Sequence, residues 1–441
     1  MPHTKVRENH LNSLYLTAAL SMIFMTLIVA IQPLYLRNVL GIARENAGFI
    51  NANIQVITEI VDLFFIGYLG YMSDRYGRVP IIVFGFLLAG VSVLLAPFSN
   101  VIGLWLGIGG LAFFYLIRVA MSLGTSAIWP QIATLAGDFS SRKTRPRLIA
   151  NAGFMMAFGA TLSYAILVQI PQHAGLTFTL LLGAVIAFAG AWAARKLLID
   201  VAEKLKENKV PLRQVVGLLK KEQGLRLTFL SAFSSRNDMV IIGLFLMIWF
   251  IYFADLLAID HAEAAARAGM VIGLIGLTAL VSIPAWGTVI DRFGRVPAIA
   301  MGLCVSGAGF VSFGFIVNPF GWQILFPAIL VGLGQAGCLL APQTLTLDLA
   351  PDNIRGSVMG AFNTVGCLGI IFFLQVGGFL FDKIGPPAPF LFTGIANLAV
   401  MGYAIYILKV HGGEADTNYD ENPDFTEEPE LVGAVPEETP A

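Results

Sequence analysis

The sequence predicts an all-α membrane protein, with twelve transmembrane helices in two six-helix bundles and both termini in the cytoplasm. Three observations carry this. Of the 441 residues, 57% are hydrophobic and only 12% charged, about half the charge of a soluble domain. Apolar windows of about 20 residues recur, each long enough to cross ~30 Å of hydrocarbon. A charged string, GYMSDRYGRVP at residues 70–80, returns 217 residues later as GTVIDRFGRVP at 287–297. Spans in lipid must pair every backbone group within their own segment, so they are helical.

The elements follow in order. Residues 1–13 are a basic cytoplasmic N-terminus. The apolar run at 14–36 is too long for a signal peptide and lacks a small-residue cleavage site, so it is a retained first span. Further spans are expected at 47–71, 79–97, 101–127, 148–170 and 174–195, completing an N-terminal bundle over 14–195. The segment 196–226 mixes charges at helical spacing (RKLLIDVAEKLKENK) and is expected as an amphipathic linker on the membrane surface. Spans at 227–254, 266–290, 296–317, 322–349, 355–380 and 387–409 build a C-terminal bundle over 227–410. The tail, 411–441, holds ten acidic residues and no Lys or Arg. It cannot bury enough apolar area to fold and is expected to be disordered, either solvated or docking a protein partner or ion.

Orientation follows from the basic residues. With the N-terminus inside, 21 of the 27 Lys and Arg fall in cytoplasmic segments, and only Arg37, Arg44, Arg267 and Lys383 in outer loops. Arg118 and Arg236 sit inside apolar spans. Cys304, Cys338 and Cys367 all fall in apolar runs without C-x-x-C spacing, so they are expected as buried thiols rather than disulfide, zinc or haem ligands. No Walker A string, catalytic triad or haem ligand pair appears, so neither ATP-driven transport nor an enzyme is indicated. No cofactor or nucleic acid partner is expected; the partners are the lipid bilayer, a small-molecule or ion substrate, and protons.

The duplicated string relates the halves. Gly70, Asp74, Arg75, Gly77 and Arg78 align with Gly287, Asp291, Arg292, Gly294 and Arg295, and Gly85 and Gly90 with Gly302 and Gly307. Gly77 and Gly294 permit a tight turn between antiparallel helices. Gly70 and Gly287 are expected to let helices approach closely. Asp74 and Asp291 are placed to cap a neighbouring helix N-terminus, and the arginines to pair with acidic partners across the bundle. A purely topological role for these charges is the alternative. Parallel six-span repeats are a transporter plan with the site near mid-membrane.

G-x-x-x-D-R-x-G-R between spans 2 and 3, with its copy between spans 8 and 9, resembles the signature loop of the major facilitator superfamily. The resemblance covers about residues 12–410. It implies two bundles that rock around a central cavity, with this loop as a gating latch of the outward-facing state. Arg118 followed by Ser122 and Gly124 resembles the fourth-span motif of the family, with serine replacing the usual first glycine; that arginine is tied to proton coupling in many antiporters. Span 5, AGFMMAFGATLSYAI, lacks the Gly-Pro of drug/proton antiporters, and sugar-porter signatures are missing. The string NANIQVITEIVD is also similar to carriers of magnetosome membranes, which are linked to iron.

Charges inside the membrane mark the candidate site. In NANIQVITEIVDLFF, Glu59 and Asp62 lie three apart on one helix face, near the bilayer midplane, with Asn51, Gln55 and Thr58 extending the stripe. The corresponding positions in span 8 are Gly276 and Ala279. Two such carboxylates cannot both ionise cheaply. They suit proton coupling or substrate binding, a metal cation, or a structural pair. Arg118 and Asp62 are expected at similar depth, so that Arg118 contacts Asp62 or Glu59, as a coupling group or a helix lock. Arg236, Asn237 and Asp238 pair locally or line the cavity, and Gln32, Gln335 and Asn363 are further cavity polars.

These residues point to a secondary active transporter, symport or antiport, moving a small solute by alternating access and coupled to protons. It is expected as an integral multi-pass protein of a bacterial inner membrane or an organelle membrane derived from it. The alternatives are a transporter-like sensor or assembly protein that uses the acidic tail, and an iron or metal-ion carrier of a specialised membrane.

Overall fold

The computed structural model describes residues 8–140, 145–200, 212–351 and 354–411. Twelve membrane-length helices follow one another: α1 (Glu8–Asn38), α2 (Arg44–Ser73), α3 (Arg78–Trp105), α4 (Gly110–Asp138), α5 (Ala150–Ala174), α6 (Leu176–Leu197), α7 (Gln223–Leu257), α8 (His261–Phe293), α9 (Arg295–Phe313), α10 (Trp322–Leu349), α11 (Gly356–Lys383) and α12 (Ala388–Val410). An even number of crossings puts both ends of the chain on one face, which the distribution of Lys and Arg makes the inner one. Of the expected amphipathic linker, residues 201–211 lie outside the described residues; its described part includes a short helix, Leu212–Lys221. The acidic tail lies outside them too.

One expected boundary is wrong. Residues 101–105 finish α3 and 106–109 form the turn after it, instead of opening the fourth span. The chain reverses on Gly107 and Gly109, both in left-handed backbone with φ of 73° and 82°. This turn is written in apolar residues, so hydropathy alone runs through it.

Each half packs by the same plan. In the first, α3 lies between α4 and α6; in the second, α9 lies between α10 and α12. Without a hydrophobic force between helices in lipid, such contacts rely on close backbone approach. A Cβ at Gly85 of α3 would meet the Gly124 carbonyl of α4, and one at Gly124 would meet the Gly85 carbonyl. Gly302, which aligns with Gly85, lies likewise against Gly337 of α10. Across the halves, α2 packs on α11 and α5 on α8.

The duplicated loop builds matching corners at the inner face. Gly77 and Gly294 carry the turn at φ of 101° and 88°, as their sequence position requires. Arg78 pairs with Asp138 at the end of α4, and Arg295 Nε with Asp348 Oδ2 at the end of α10, 2.9 Å apart. Arg75 and Arg292 each lie over the ring that follows them, Tyr76 and Phe293, at 5.4 and 5.6 Å. One expectation is corrected. A Cβ on Gly70 or Gly287 would find nothing within 4 Å, so neither glycine serves a close approach here. The cap on α3 comes from Asp200, whose Oδ1 accepts from the Arg78 and Val79 amides at 2.7 and 3.1 Å. Asp291 is exposed, and the Asp74 side chain lies outside what the structure describes.

Two further details bear on function. The helix α7 is discontinuous. It breaks at Arg236–Asn237, resumes at Asp238–Ile241, passes through a π-helical turn at Ile242–Leu246 and ends as Met247–Leu257. Of the three cysteines only Cys338 is fully buried; Cys367 is half-buried, and Cys304 is exposed, correcting the expectation for it.

Gly124→Leu forces a side chain into a backbone–backbone contact and is expected to cost on the order of 2 kcal/mol or more. Gly70→Leu enters open space and is expected to leave the thermal midpoint of the detergent-purified protein unchanged. Equal midpoints for the two variants would refute the close contact.

Candidate functional site

The polar stripe of α2 faces α4. The two helices run parallel, and their pairs keep a nearly constant register: Asn53 with Tyr115 (3.2 Å), Gln55 with Arg118 (3.1 Å), Asp62 with Ser122 (2.6 Å) and Ser73 with Gln131 (2.6 Å). At the centre is Arg118, 3% exposed. Its Nε donates to Gln32 Oε1 of α1 at 2.8 Å, and its Nη2 to Gln55 Oε1 at 3.1 Å. Gln55 Nε2 then donates to Glu59 Oε1 at 3.1 Å. Gln32 Nε2 donates to Asn51 Oδ1 at 3.2 Å, and Asn51 Nδ2 closes back on the Ala47 carbonyl at 2.8 Å.

The expected direct contact of Arg118 with Asp62 or Glu59 is therefore replaced by an amide relay. The reason is register. Because α4 begins at Gly110, Arg118 sits level with Gln55, and it is Ser122 that reaches Asp62. A glutamine can accept from the guanidinium and donate to the carboxylate at once, so the charges are linked without touching. Asp62 keeps one oxygen, Oδ1, buried and unpartnered.

From the second half, Arg236 Nη1 donates to the Asn363 Oδ1 of α11 at 2.8 Å. It lies within electrostatic range of Glu59. Cys367, one turn along α11, is within range of Glu59, Asp62 and Arg236. Glu59, Asp62, Arg118, Arg236 and Asn363 thus form one group between the halves. Two other expected cavity residues do not join it. Asp238 is wholly buried inside the second half, bonded to Ser306 and Asn397. Turning through the helix break, the chain sends residues 236 and 238 to different faces. Gln335 is half-buried in α10 and its Oε1 has no partner. Among the described residues, no three of His, Cys, Asp and Glu converge to hold a metal ion.

A second polar cluster, unforeseen in the sequence, closes the outer end. Arg37 of α1 pairs with Asp255 of α7 at 2.9 Å. His261 of α8 reaches Asp255 Oδ1 and Asn38 Oδ1, both at 2.7 Å. Asp382 of α11 accepts from the Gly48 and Phe49 amides of α2 at 2.8 and 2.9 Å. Gln169 Nε2 of α5 donates to the Ala266 carbonyl of α8 at 2.8 Å, and Tyr252 Oη to the Ile42 carbonyl at 3.0 Å. These hydrogen bonds, all at this end, join the two halves. Lone acidic residues at the ends of apolar runs, Asp255 and Asp382, were the available signal.

The family model described as Major Facilitator Superfamily matches residues 14–259 and 254–434. Magnetosome protein MamH of Paramagnetospirillum magneticum is 57% identical over 408 residues, covering 92% of this chain and 93% of that protein. Magnetosome protein MamZ of Magnetospirillum gryphiswaldense is 40% identical over 401 residues; they cover 90% of this chain but 62% of that longer protein. Among solved structures, the nucleoside transporter NupG superposes with a TM-score of 0.71 at 13% identity, covering 91% of this chain and 99% of that one. A D-xylose-proton symporter superposes with a TM-score of 0.71 at 14% identity, covering 90% and 97%. At such identities the likeness shows the fold alone.

Arg118→Met strips the relay of its cation and leaves Gln32 and Gln55 acceptors unpaired in a dry site. A loss of roughly 3 kcal/mol is expected, read as a lowered thermal midpoint. Arg118→Lys is expected to recover part of it, since one ammonium cannot reproduce the two-armed guanidinium contact.

Proposed function

Because the chain belongs to the major facilitator superfamily, we propose that this integral multi-pass membrane protein carries a small solute by alternating access, with Glu59 and Asp62 as its proton-coupling carboxylates. The observation that carries the reading is the amide relay joining Glu59 to Arg118 at mid-membrane, facing Arg236 of the other half. Ionisable groups at that depth are costly unless they work. A proton arriving at Glu59 weakens its acceptance from Gln55 Nε2 and so loosens the amide whose oxygen Arg118 holds, so protonation and helix contacts change together. Bonds between halves at the outer end, and arginine pairs kept within each half at the inner end, correspond to a carrier open toward the face bearing its termini. The return stroke breaks the outer cluster and brings the two inner corners together, which is where Asp74, Arg75, Asp291 and Arg292 act.

A second reading takes the cargo to be iron or another metal cation of a magnetosome membrane. The likeness to two magnetosome proteins over nearly the whole chain favours it. Glu59 and Asp62 would then supply carboxylate oxygens, completed by amide or carbonyl oxygens and by water.

A thermal-shift screen over metals, organic acids, amino acids and sugars identifies the solute. In proteoliposomes loaded with a pH-sensitive dye, that solute is expected to move protons with it. Glu59→Gln/Asp62→Asn is expected to abolish solute accumulation driven by a pH gradient while solute exchange persists. Accumulation that still follows the gradient would overturn the coupling assignment. Asp74→Ala is expected to insert normally and lose transport; full transport would remove the gating role of that loop.

A further inference from the structure

Asp238 stands at the break in α7, wholly buried. Four helices meet around its carboxylate. Ser306 of α9 donates to Oδ2 at 2.9 Å, and Asn397 Nδ2 of α12 lies 3.2 Å from both Oδ1 and Oδ2. The Cys338 thiol of α10 lies against Ser306 and within electrostatic range of Asp238. Among the described residues, no Lys, Arg or His of α9, α10 or α12 pairs with it, and Arg236 is turned away to Asn363. A carboxylate that only accepts hydrogen bonds, deep in hydrocarbon and without a countercharge, is incomplete as it stands.

The unpartnered atoms show what would complete it. Asn397 is 0% exposed, and its Oδ1 has no hydrogen-bond partner. On α7, one residue from Asp238 and two turns before it, Asn237 Oδ1 and Ser231 Oγ are also buried and unpartnered. The Asn397 Nδ2 sits symmetrically before the two carboxylate oxygens, where a cation bound bidentately would sit. Turning that amide over would direct the orphaned Oδ1 toward the same point, a position tolerable beside a carboxylate only with a positive ion between them. A single negative charge balances a single positive one; a divalent ion would leave a net charge in the bundle.

We infer that Asp238, Ser306 and Asn397 form a binding site for a monovalent alkali cation inside the second half, held by both Asp238 oxygens, Ser306 Oγ and the rotated Asn397 Oδ1. This site is separate from the Glu59–Asp62 group, and its test reads binding, so it stands or falls independently of the transport reading. A cation here ties the α7 break to α9 and α12.

The test compares thermal midpoints of the purified full-length protein at fixed pH and ionic strength in NaCl, KCl and choline chloride. A saturable rise of about 3 °C in NaCl or KCl over choline is expected. It should vanish in Asp238→Asn and need several-fold more salt in Ser306→Ala. Equal midpoints in the three salts, or the same rise in Asp238→Asn, would overturn the site. A midpoint that answers to pH alone would show that Asp238 holds a proton instead, and would equally overturn it. Should Asp238→Asn fail to fold, Ser306→Ala decides: salt dependence like that of the unsubstituted chain rejects the proposal.

Discussion

Hydrocarbon cannot solvate a guanidinium, and the handling of Arg118 organises the first half. Its charge is spread over two glutamines from two helices, and one of them hands the interaction on to Glu59. That arrangement fixes α1, α2 and α4 in mutual register, so the depth of every other polar group on α2 follows from it. Asp62 meets Ser122, and Ser73 meets Gln131, because Gln55 meets Arg118. A relay through amides also keeps acid and base near each other without a direct ion pair, whose desolvation is hard to recover in so dry a place.

The halves share a plan and differ in its content. Where α2 carries Glu59 and Asp62, α8 carries Gly276 and Ala279. The structure gives a reason. A Cβ at Gly276 would meet Thr161 of α5, and one at Gly273 would meet Ala165, so α8 uses small residues to bring α5 close across the midline. On the opposite side α2 and α11 approach through Gly48 and Gly378 near the outer end, leaving the middle of α2 free for polar groups. Duplication supplied two equivalent surfaces, one kept for packing and the other for charge.

Much of this was legible in the sequence. Twelve apolar stretches and a repeated string fixed the helix count, the halves and the glycine turns at 77 and 294, because hydrophobic length and backbone strain are local properties. The polar stripe of α2 and its neighbour Arg118 were legible as membrane-embedded charges. What was not legible was registry. An apolar turn at Gly107–Gly109 carries no hydropathy signal, and misplacing it shifted Arg118 by about two turns relative to α2. The separation of Arg236 from Asp238 was hidden for a similar reason, since a break within an apolar helix reorients side chains that helical spacing places on one course. Asp138, Asp348 and Asp200 passed unnoticed because their partners are far apart in sequence.

The Asp382 clasp differs in kind from its neighbours. Arg37, Asp255 and His261 hold one another by side chains, which any substitution can erase, whereas Asp382 grips two main-chain amides of α2. Residue 49 can drift through nearly the whole amino-acid alphabet and still offer its N–H; only an imino acid would withhold it. The constraint falls on residue 48 alone, where any Cβ would press on Asp382 and on the Gly378 carbonyl, so a search for coupled positions would find an invariant glycine and pass over the bond at residue 49.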